Sequence, residues 1–387
     1  MSVPYWRLSA FYYFYFATLG GFLPYWSLYL KNSGFNPIEI GELSALLIGT
    51  RIIAPNLWGW IADHTGKSLL LIRIASFFAA LLFAGFLFAH NYFWFAWITI
   101  GFSFFWNAVL PQFEAVTLFH LKNEPHRYSR IRLWGSVGFI VTVLGIGRLL
   151  DSQPIELLPI VIITLLISSW GVTLITPDAK AMNHGTAPLE MLQIIKKPEV
   201  LAFFVVNILL QVAHAPYYVF YSIYLKHHHY SATVTGLLWA LGVLAEIVLF
   251  VYMSRLLNRF SLRAILLFSL VLATGRWLII GWCPEYFGLL IIAQLFHAAT
   301  FGGAHIVAIH LVHFYFGGQH QGKGQALYSS LSYGLGGMLG SLYSGYYWES
   351  LGSRLVYSMA AICCSIAFVI AYAWVGRENA QNPAALG

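Results

Sequence analysis

The chain has 387 residues, of which 59% are hydrophobic and 9% are charged, and its mean hydropathy is +0.72. Soluble domains carry about 25% charged residues, so this composition excludes a soluble globular protein and indicates a membrane protein. The formal net charge of +7 does not indicate nucleic-acid binding, because the basic residues follow the loops between apolar segments.

Apolar runs of the length that a helix needs to cross a membrane, about 20 residues, follow one another along the whole chain. The loops between them are too short to hold a soluble domain. The sequence therefore predicts an all-α integral membrane protein with twelve transmembrane helices. The runs cover residues 8–30, 38–60, 69–89, 92–119, 130–150, 156–176, 199–226, 231–255, 262–283, 286–316, 323–348 and 352–375.

The first run is long and aromatic and has no small-residue cleavage site, which is typical of a membrane helix and not of a removed signal peptide. Lysines and arginines in or beside the loops lie mostly on the side of the N-terminus. Only Lys31, Arg148, Lys226 and Arg354 fall on the opposite side. Because positive charge accumulates on the cytoplasmic face, both termini are predicted to be cytoplasmic.

The two halves of the chain match each other without a gap. A shift of 195 positions superimposes Ser27 on Ser222, Tyr29 on Tyr224, Leu30 on Leu225, Lys31 on Lys226 and Gly41 on Gly236. Two halves in the same orientation form a parallel repeat, in which substrate binds near the bilayer midplane at the repeat interface. We predict six-helix bundles over residues 1–176 and 199–387, joined by a polar, proline-flanked cytoplasmic linker over 177–198.

Ionisable residues inside the apolar runs are energetically expensive, so each is a functional hypothesis by default. In an antiparallel hairpin of the fourth and fifth runs, Glu114 and Arg132 would lie at the same depth. The shift that defines the repeat places Arg51 of the second run opposite Glu246 of the eighth. Further candidates are Arg276, His214 and His297. The alternative for these groups, Arg51 and Arg276 above all, is that they pair with one another and only lock helices together.

We assign Glu114, Arg132, Arg276 and His214 to substrate binding, because a guanidinium can hold a carboxylate bidentately and Glu114 can accept hydrogen bonds from hydroxyls. A carboxylic acid inside the membrane can exchange a proton near neutral pH. Glu246 and His297 are therefore the candidates for proton coupling. Arg51 is kept as a further buried charge.

The loop after the second run reads Gly59-Trp-Ile-Ala-Asp63-His-Thr-Gly66-Lys67. This pattern resembles the signature loop of the major facilitator superfamily, and it lies at the same place, between the second and third of twelve spans. Its glycines would allow a tight turn and a close approach of helices, and Asp63 could receive basic groups or cap a helix start. We interpret the loop as a structural and gating element.

Longer segments are similar to the 3-phenylpropionate permease branch of that superfamily. They are Gly21-Phe-Leu-Pro-Tyr-Trp-Ser, Ile131-Arg132-Leu-Trp-Gly-Ser136, Gln211-Val-Ala-His214-Ala, Leu238-Trp-Ala-Leu-Gly-Val-Leu-Ala-Glu246, Arg276-Trp277 and Gln294-Leu-Phe-His297-Ala-Ala-Thr-Phe301. This resemblance implies a proton-coupled importer in a bacterial-type inner membrane.

The hairpin also resembles that of lactose permease, in which an acid and an arginine at the spacing of Glu114 and Arg132 hold the sugar. The sequence departs from that permease in two places. Thr300 stands where the permease has an acid one turn after its histidine, and Val243 stands at the position of its eighth-helix acid. Its proton path therefore does not transfer, and Glu246 with His297 is the substitute hypothesis.

No cofactor is expected other than the proton as coupling ion. His297, His305, His310 and His313 do not form one face of the tenth run as a set, since His297 and His313 point about 160° apart, and His227–His229 lie in an exterior loop, so no metal site is predicted. An enzyme is not expected either, because no phosphate-binding loop, nucleophile elbow or metal signature is present. The expected partners are a small-molecule substrate and membrane lipid, without nucleic acid, and the protein is expected to be a monomer.

The predicted function is a proton-coupled symporter that imports a small organic solute by alternating access. A guanidinium beside aromatic side chains favours an aromatic carboxylate such as phenylpropionate as the substrate. A sugar or nucleoside symporter is the nearest alternative. A non-transporting receptor or an exporter on the same fold is the alternative from another class.

Overall fold

The computed structural model describes residues 3–122, 124–178, 188–317 and 320–376. Within these ranges all regular secondary structure is helical. The long helices are α1 (Tyr5–Asn32), α2 (Pro37–Thr65), α3 (Ser68–Ala84), α4 (Tyr92–His120), α5 (Tyr128–Leu150), α6 (Leu158–Ile175), α7 (Pro198–His227), α8 (Ala232–Arg259), α9 (Leu262–Trp282), α10 (Phe287–His297, Ala298–Gly303 and Ala304–Tyr315), α11 (Gln321–Tyr328, Ser329–Gly336 and Gly337–Trp348) and α12 (Ser353–Trp374). The middle segments of α10 and α11 are π-helical.

These helices coincide with the twelve predicted apolar runs. In the described part of the chain, nine of them have both the length and the mean hydropathy of a membrane span. The other three, α1, α2 and α11, are long enough but carry more glycine and polar residues along their length. The prediction of an all-α integral membrane protein is confirmed.

A short helix, Pro188–Ile195, lies inside the predicted linker, so part of that segment is regular structure. The linker residues 179–187 lie outside the described residues.

Local sequence signals fix where several helices begin and end. Asn36 accepts a hydrogen bond from the Glu39 N–H, and the Glu39 carboxylate accepts one from the Asn36 N–H, which forms a capping box at the start of α2. Asn91 and Ser261 cap α4 and α9 in the same way with one hydrogen bond each. At the end of α2, Gly66 has a φ of 66°, a left-handed conformation that glycine adopts without strain.

The described contacts divide the chain into two compact units. Unit 1 comprises Met1–His184 together with Tyr218–Ala240, and unit 2 comprises Gly185–Tyr217 together with Leu241–Gly387. The end of α7 and the start of α8 thus group with unit 1, although both follow the predicted linker. The predicted bundle boundaries remain a prediction.

Each unit contains a close helix pair built on glycine. In unit 1, α1 packs on α5, and a Cβ at Gly20 would lie 2.6 Å from the Phe139 carbonyl oxygen. In unit 2, a Cβ at Gly340 of α11 would lie 2.7 Å from the carbonyl oxygen of Val212 on α7. These distances leave no room for a side chain, so glycine permits the backbones to approach. Gly340 of the eleventh helix therefore serves packing.

A polar contact holds the start of α8 within unit 1. The Asp151 carboxylate, just after α5, accepts hydrogen bonds from the backbone N–H groups of Ala232 (2.8 Å) and Thr233 (3.2 Å). Nearby, the Tyr25 hydroxyl of α1 donates to the Val143 carbonyl oxygen at 2.7 Å. Three helices that are distant in sequence meet at this point.

Candidate functional site

The Glu114–Arg132 pair forms in unit 1 between α4 and α5. Arg132 Nε lies 3.9 Å from Glu114 Oε1, and the Tyr128 hydroxyl donates to the same oxygen at 3.3 Å. The guanidinium lies over the Phe16 ring, 3.9 Å from its centroid. Both side chains of the pair keep about a third of their surface exposed, 36% for Glu114 and 33% for Arg132. A ligand can therefore reach both charges.

The ring of Tyr12 extends this pair toward α1. Arg132 lies 5.6 Å from the Tyr12 centroid, and the Tyr12 hydroxyl donates to Thr117 of α4 at 3.3 Å. A guanidinium against two aromatic faces is stabilised by cation–π attraction. The combination offers a carboxylate, a guanidinium and aromatic surface within a few ångströms.

Arg51 of α2 is bound to a neutral partner. Its Nε donates to Asn107 Oδ1 of α4 at 3.1 Å, and the Asn107 amide donates to the Leu47 carbonyl oxygen and the Thr50 hydroxyl. This network ties α2 to α4, which favours the locking role among the alternatives for Arg51.

Arg276 of α9 is a fully buried charge in unit 2, with none of its surface exposed. Its Nη1 donates to Thr300 Oγ1 at 3.3 Å. The guanidinium lies over the rings of Tyr217 (4.4 Å to the centroid) and Trp277 (4.6 Å). The Tyr217 hydroxyl in turn donates to Gln294 Oε1 at 2.9 Å. We call Arg276, Tyr217, Trp277, Gln294, Thr300, His214 and His297 the Arg276 cluster.

The two predicted histidines lie in this cluster. His214 is fully buried, its Nδ1 lies 2.7 Å from the Leu210 carbonyl oxygen of its own helix, and its ring meets Trp277 edge to face. His297 is 7% exposed and stacks on Phe301. Among the residues that the structure describes, His297 Nδ1 has no hydrogen-bond partner. Buried polar atoms normally have a hydrogen-bond partner, so this nitrogen is expected to bind a proton or to form a hydrogen bond with water or a ligand.

Glu246 of α8 lies beside the same stretch of α10. A Cβ at Gly302 would lie 2.8 Å from Glu246 Cγ, and a Cβ at Gly242, one turn earlier on α8, would lie 3.2 Å from His297 Cδ2. Glu246 of α8 therefore contacts α10, and His297 of α10 contacts α8 one turn away, so the two residues assigned to proton coupling lie at the same helix–helix contact.

The signature loop differs from its interpretation in two respects. Asp63 lies in the last turn of α2 and is exposed, and α3 begins without a side-chain cap, so Asp63 does not cap a helix start. A Cβ at Gly59 would meet only Gln112 at 3.5 Å, an ordinary contact, so no close approach requires glycine there. Gly66 makes the expected tight turn, and Lys67 after it is exposed.

Sequence reasoning missed several polar side chains that complete these groups. Asn107 and Gln294 are polar residues inside apolar runs, and that signal alone could have identified them. Tyr128 could not be singled out, because the chain contains 23 tyrosines with no pattern that marks one. Within the described ranges, no group of three or more His, Cys, Asp or Glu side chains could hold a metal ion.

Comparison with known proteins identifies transporters over nearly the whole chain. It is 28% identical over 373 residues, 92% of this chain and 95% of the relative, to the probable 3-phenylpropionic acid transporter of Escherichia coli strain K12. It is 25% identical over 381 residues, 95% of this chain and 94% of the relative, to the maltose permease of Geobacillus stearothermophilus.

Among solved structures, the nucleoside transporter NupG superimposes with a TM-score of 0.83 at 16% identity, covering 97% of this chain and 98% of that one. This likeness shows a shared fold. The relatives and the structural neighbour are transporters and not enzymes. Residues 5–359 match the MFS_1 like family. The chain is a multi-pass membrane transporter that belongs to the MFS_1 like family of the major facilitator superfamily.

Proposed function

We propose that this transporter is a proton-coupled symporter that imports a small organic solute, with an aromatic carboxylate such as 3-phenylpropionate as the first candidate. The observation that carries the substrate class is the Arg276 cluster. A fully buried guanidinium between the faces of Tyr217 and Trp277 combines a positive charge with aromatic walls. A carboxylate can bind such a guanidinium, and an aryl group can pack on the rings. A relative named for 3-phenylpropionic acid supports the same class.

We assign proton coupling to Glu246 of α8 and His297 of α10, because each contacts the other's helix and these contacts are one helical turn apart on α8. A proton that enters across 100 mV contributes about 2.3 kcal/mol, which sustains roughly a 50-fold gradient of solute. In the proposed cycle, Glu246 is protonated from outside, the substrate binds, and both are released inside. The proton is the coupling ion, and no other cofactor takes part.

The proposed setting is a bacterial-type inner membrane with both termini cytoplasmic, in which the protein acts as a monomer with substrate and lipid as its partners. The distribution of basic residues between the loops supports this orientation.

Sugar or nucleoside symport is the second candidate. Buried amide side chains at Asn207, Gln211 and Gln294 suit hydroxyl recognition, and Glu114 can accept hydrogen bonds from hydroxyls. The names of two similar proteins, a maltose permease and a nucleoside transporter, support this candidate. An exporter or a receptor remains the candidate of another class.

The test is the pH outside lightly buffered proteoliposomes on addition of 3-phenylpropionate, maltose or uridine. Alkalinisation with 3-phenylpropionate is expected, because a symporter carries protons inward with its substrate. Alkalinisation with maltose or uridine alone would replace the first candidate by the second. Folded protein that binds 3-phenylpropionate without a pH change would contradict proton symport, and folded protein that binds none of the three would contradict both candidates.

A matched pair of arginine variants tests the substrate site. Arg276→Gln should weaken 3-phenylpropionate binding about tenfold or more, since a hydrogen bond to a charged group contributes about 1.5–3 kcal/mol. Arg354→Gln is the control, because Arg354 is 55% exposed and lies near Glu285 at 3.9 Å. Equal Kd values for the two variants, measured by calorimetry, would remove Arg276 from the site.

A further inference from the structure

A cluster of titratable side chains on α10 and α11 has no part in the proton-coupling assignment. His305 of α10 lies beside two tyrosines of α11. Its Nδ1 is 2.9 Å from the Tyr333 hydroxyl and 3.2 Å from the Tyr328 hydroxyl. We propose that His305, held by Tyr328 and Tyr333, is a further proton-carrying residue, which takes up the coupled proton and releases it toward the cytoplasm. This proposal rests on the proposed proton symport and adds a residue to it.

The position of His305 along α10 supports this role. His297, Phe301 and His305 are spaced by four residues, and their rings form a column. Phe301 is nearly parallel to His297 (5.3 Å, 7°) and to His305 (6.5 Å, 14°). At 1.5 Å per residue, His305 lies about 12 Å beyond His297 along the helix, toward the predicted cytoplasmic end.

Glu246 lies between the two histidines along this axis. It contacts α10 at Gly302, after His297 and before His305. A proton that leaves the Glu246 carboxyl therefore has His305 as the next basic group toward the cytoplasmic end of α10. His305 is partly exposed, so water can reach the residue.

The surroundings of His305 are built from several helices. Titratable groups on the packed helices include Tyr328 and Tyr333 of α11, which contact His305, and Glu246 of α8, which contacts α10 at Gly302, three residues before His305. α7 contributes Phe203, whose ring lies 5.9 Å from that of Tyr328. The imidazole is therefore held by two tyrosines of α11, and α7 packs against one of these tyrosines.

The chemistry balances as a single proton transfer. In the neutral ring, Nδ1 accepts a hydrogen bond from a tyrosine hydroxyl, and Nε2 carries the proton. Uptake of the proton given up by Glu246 at Nδ1 forms an imidazolium, which donates to a tyrosine oxygen instead. Loss of the Nε2 proton to water leaves a neutral imidazole with its proton on Nδ1, and exchange with water returns that proton to Nε2, so that Nδ1 accepts a hydrogen bond again. One proton enters and one leaves, and the hydrogen bonds to α11 reverse direction in between.

The location of the cluster allows this reversal to affect helix shape. Tyr328 immediately precedes the π segment Ser329–Gly336, and Tyr333 lies within it. His305 lies two residues after the end of the π segment Ala298–Gly303. π segments often occur at functional sites and weaken the regular hydrogen-bond ladder. The proton on His305 thus changes hydrogen bonds that connect two irregular helix segments.

The test compares His305→Gln with His310→Gln in proteoliposomes with 3-phenylpropionate as the probe. His310 is the matched control, since it lies on the same helix and its Nδ1 contacts its own backbone at Ile306, 2.9 Å away. We expect His305→Gln to lose proton-driven accumulation about tenfold while counterflow exchange is retained, and His310→Gln to keep both. Unchanged accumulation in His305→Gln, or equal loss of accumulation and exchange, would overturn the proposal.

A second measurement does not depend on transport. Protein labelled with ¹³C at histidine Cε1 is titrated by NMR, and the His305 signal is the one that His305→Gln removes. A titration between about pH 5 and pH 8 is expected of a histidine that carries a proton. A signal that does not move over this range would refute the proposal. If wild type produces no alkalinisation, the proposed symport fails, and this titration still decides whether His305 binds a proton.

Discussion

Arg132 and Glu114 lie 3.9 Å apart, a distance that permits charge attraction but is too long for a direct hydrogen bond. The carboxylate is instead hydrogen-bonded to Tyr128, and the guanidinium is held over Phe16. Each charge thus has a support of its own and keeps capacity for another partner. This arrangement is better suited to a ligand than a tight bidentate ion pair, which would have to be broken first.

Glu114→Gln tests whether the Glu114–Arg132 pair binds the substrate. The amide keeps the shape and the hydrogen bond to Tyr128 but removes the charge that orients Arg132, so substrate affinity should fall about tenfold, as for a lost hydrogen bond to a charged group. The measurement is Kd by calorimetry on purified protein. Glu156→Gln is the control, because Glu156 is a carboxylate in unit 1 that bonds to Asn32 near the helix ends. A tighter Kd in Glu114→Gln would mean that Glu114 competes with the substrate.

The start of α8 shows how one carboxylate stabilises a helix terminus. Asp151 accepts two of the N–H groups that a helix leaves unpaired at its N-terminus, and it lies at the positive end of the helix dipole. Partial burial acts to raise the pKa of Asp151, but hydrogen bonds from Thr233 and Ala232 outweigh it and hold the pKa below the usual range. The ionised form of Asp151 is therefore more stable in the folded chain than in the unfolded chain.

Asp151→Ala should lower stability by about 0.5–2 kcal/mol at neutral pH, the range found for lost helix caps. Because the pKa is depressed on folding, this stabilisation is complete above the unfolded pKa of about 3.9 and is lost as the pH falls through the lower folded pKa. The difference in unfolding midpoint between wild type and Asp151→Ala, measured in detergent, should thus be constant from pH 8 to pH 5 and shrink below pH 4. Ser152→Ala is the control and should show no such change, because the Ser152 hydroxyl donates to the Leu149 carbonyl oxygen within its own turn.

The α7–α11 pair gives an element-scale prediction about packing. Gly340→Ala should destabilise unit 2 by about 1–3 kcal/mol, because the new methyl group would overlap the Val212 carbonyl oxygen. Gly145→Ala on α5 is the matched control. A Cβ there meets nothing within 4 Å, so alanine should be neutral or stabilising by about 0.5–1 kcal/mol through its higher helix propensity. Equal unfolding midpoints for the two variants would show that α7 and α11 can move apart to accommodate the methyl group without a loss of stability.

The positions of the transmembrane helices could be predicted because they follow the hydrophobicity of the sequence. All twelve runs became helices, since a long apolar segment has no other way to satisfy its backbone in a bilayer. The π segments of α10 and α11 were not predictable, because they arise from how glycine-rich stretches pack on neighbouring helices. For the site, charges inside apolar runs identified Arg276 and Glu114, whereas their neutral partners Thr300 and Tyr128 depend on tertiary contacts that spacing does not encode.

At the scale of the whole molecule, each unit has an arginine that makes a comparable contact with the end of a later helix. Arg73 of α3 donates to the carbonyl oxygens of Thr173, Leu174 and Thr176 at the end of α6. Arg263 of α9 donates to the Tyr372 carbonyl oxygen near the end of α12. Each unit thus closes the C-terminus of its last helix with an arginine from its third helix, which satisfies carbonyl groups that the helix leaves unpaired.

Arg73→Gln and Arg263→Gln should each lower stability by about 0.5–1.5 kcal/mol, the usual net worth of a hydrogen bond, since both arginines are partly exposed. Because the two contacts lie in different units, the double variant should equal their sum within roughly 0.5 kcal/mol. Chemical unfolding in mixed micelles measures all three. Arg130→Gln, at an exposed position near the start of α5, should have no effect. A double variant no worse than either single one would argue against two independent arginine contacts.

The π segment Ala298–Gly303 also affects how this chain is compared with its relatives. A π turn holds one more residue than an α turn, so it has the form of a one-residue insertion absorbed within a helix. Against a relative with a regular tenth helix, the correct alignment places a single gap inside this segment. His297 and His305 then lie on opposite sides of that gap. An ungapped comparison would match at least one of them with the wrong residue of that relative.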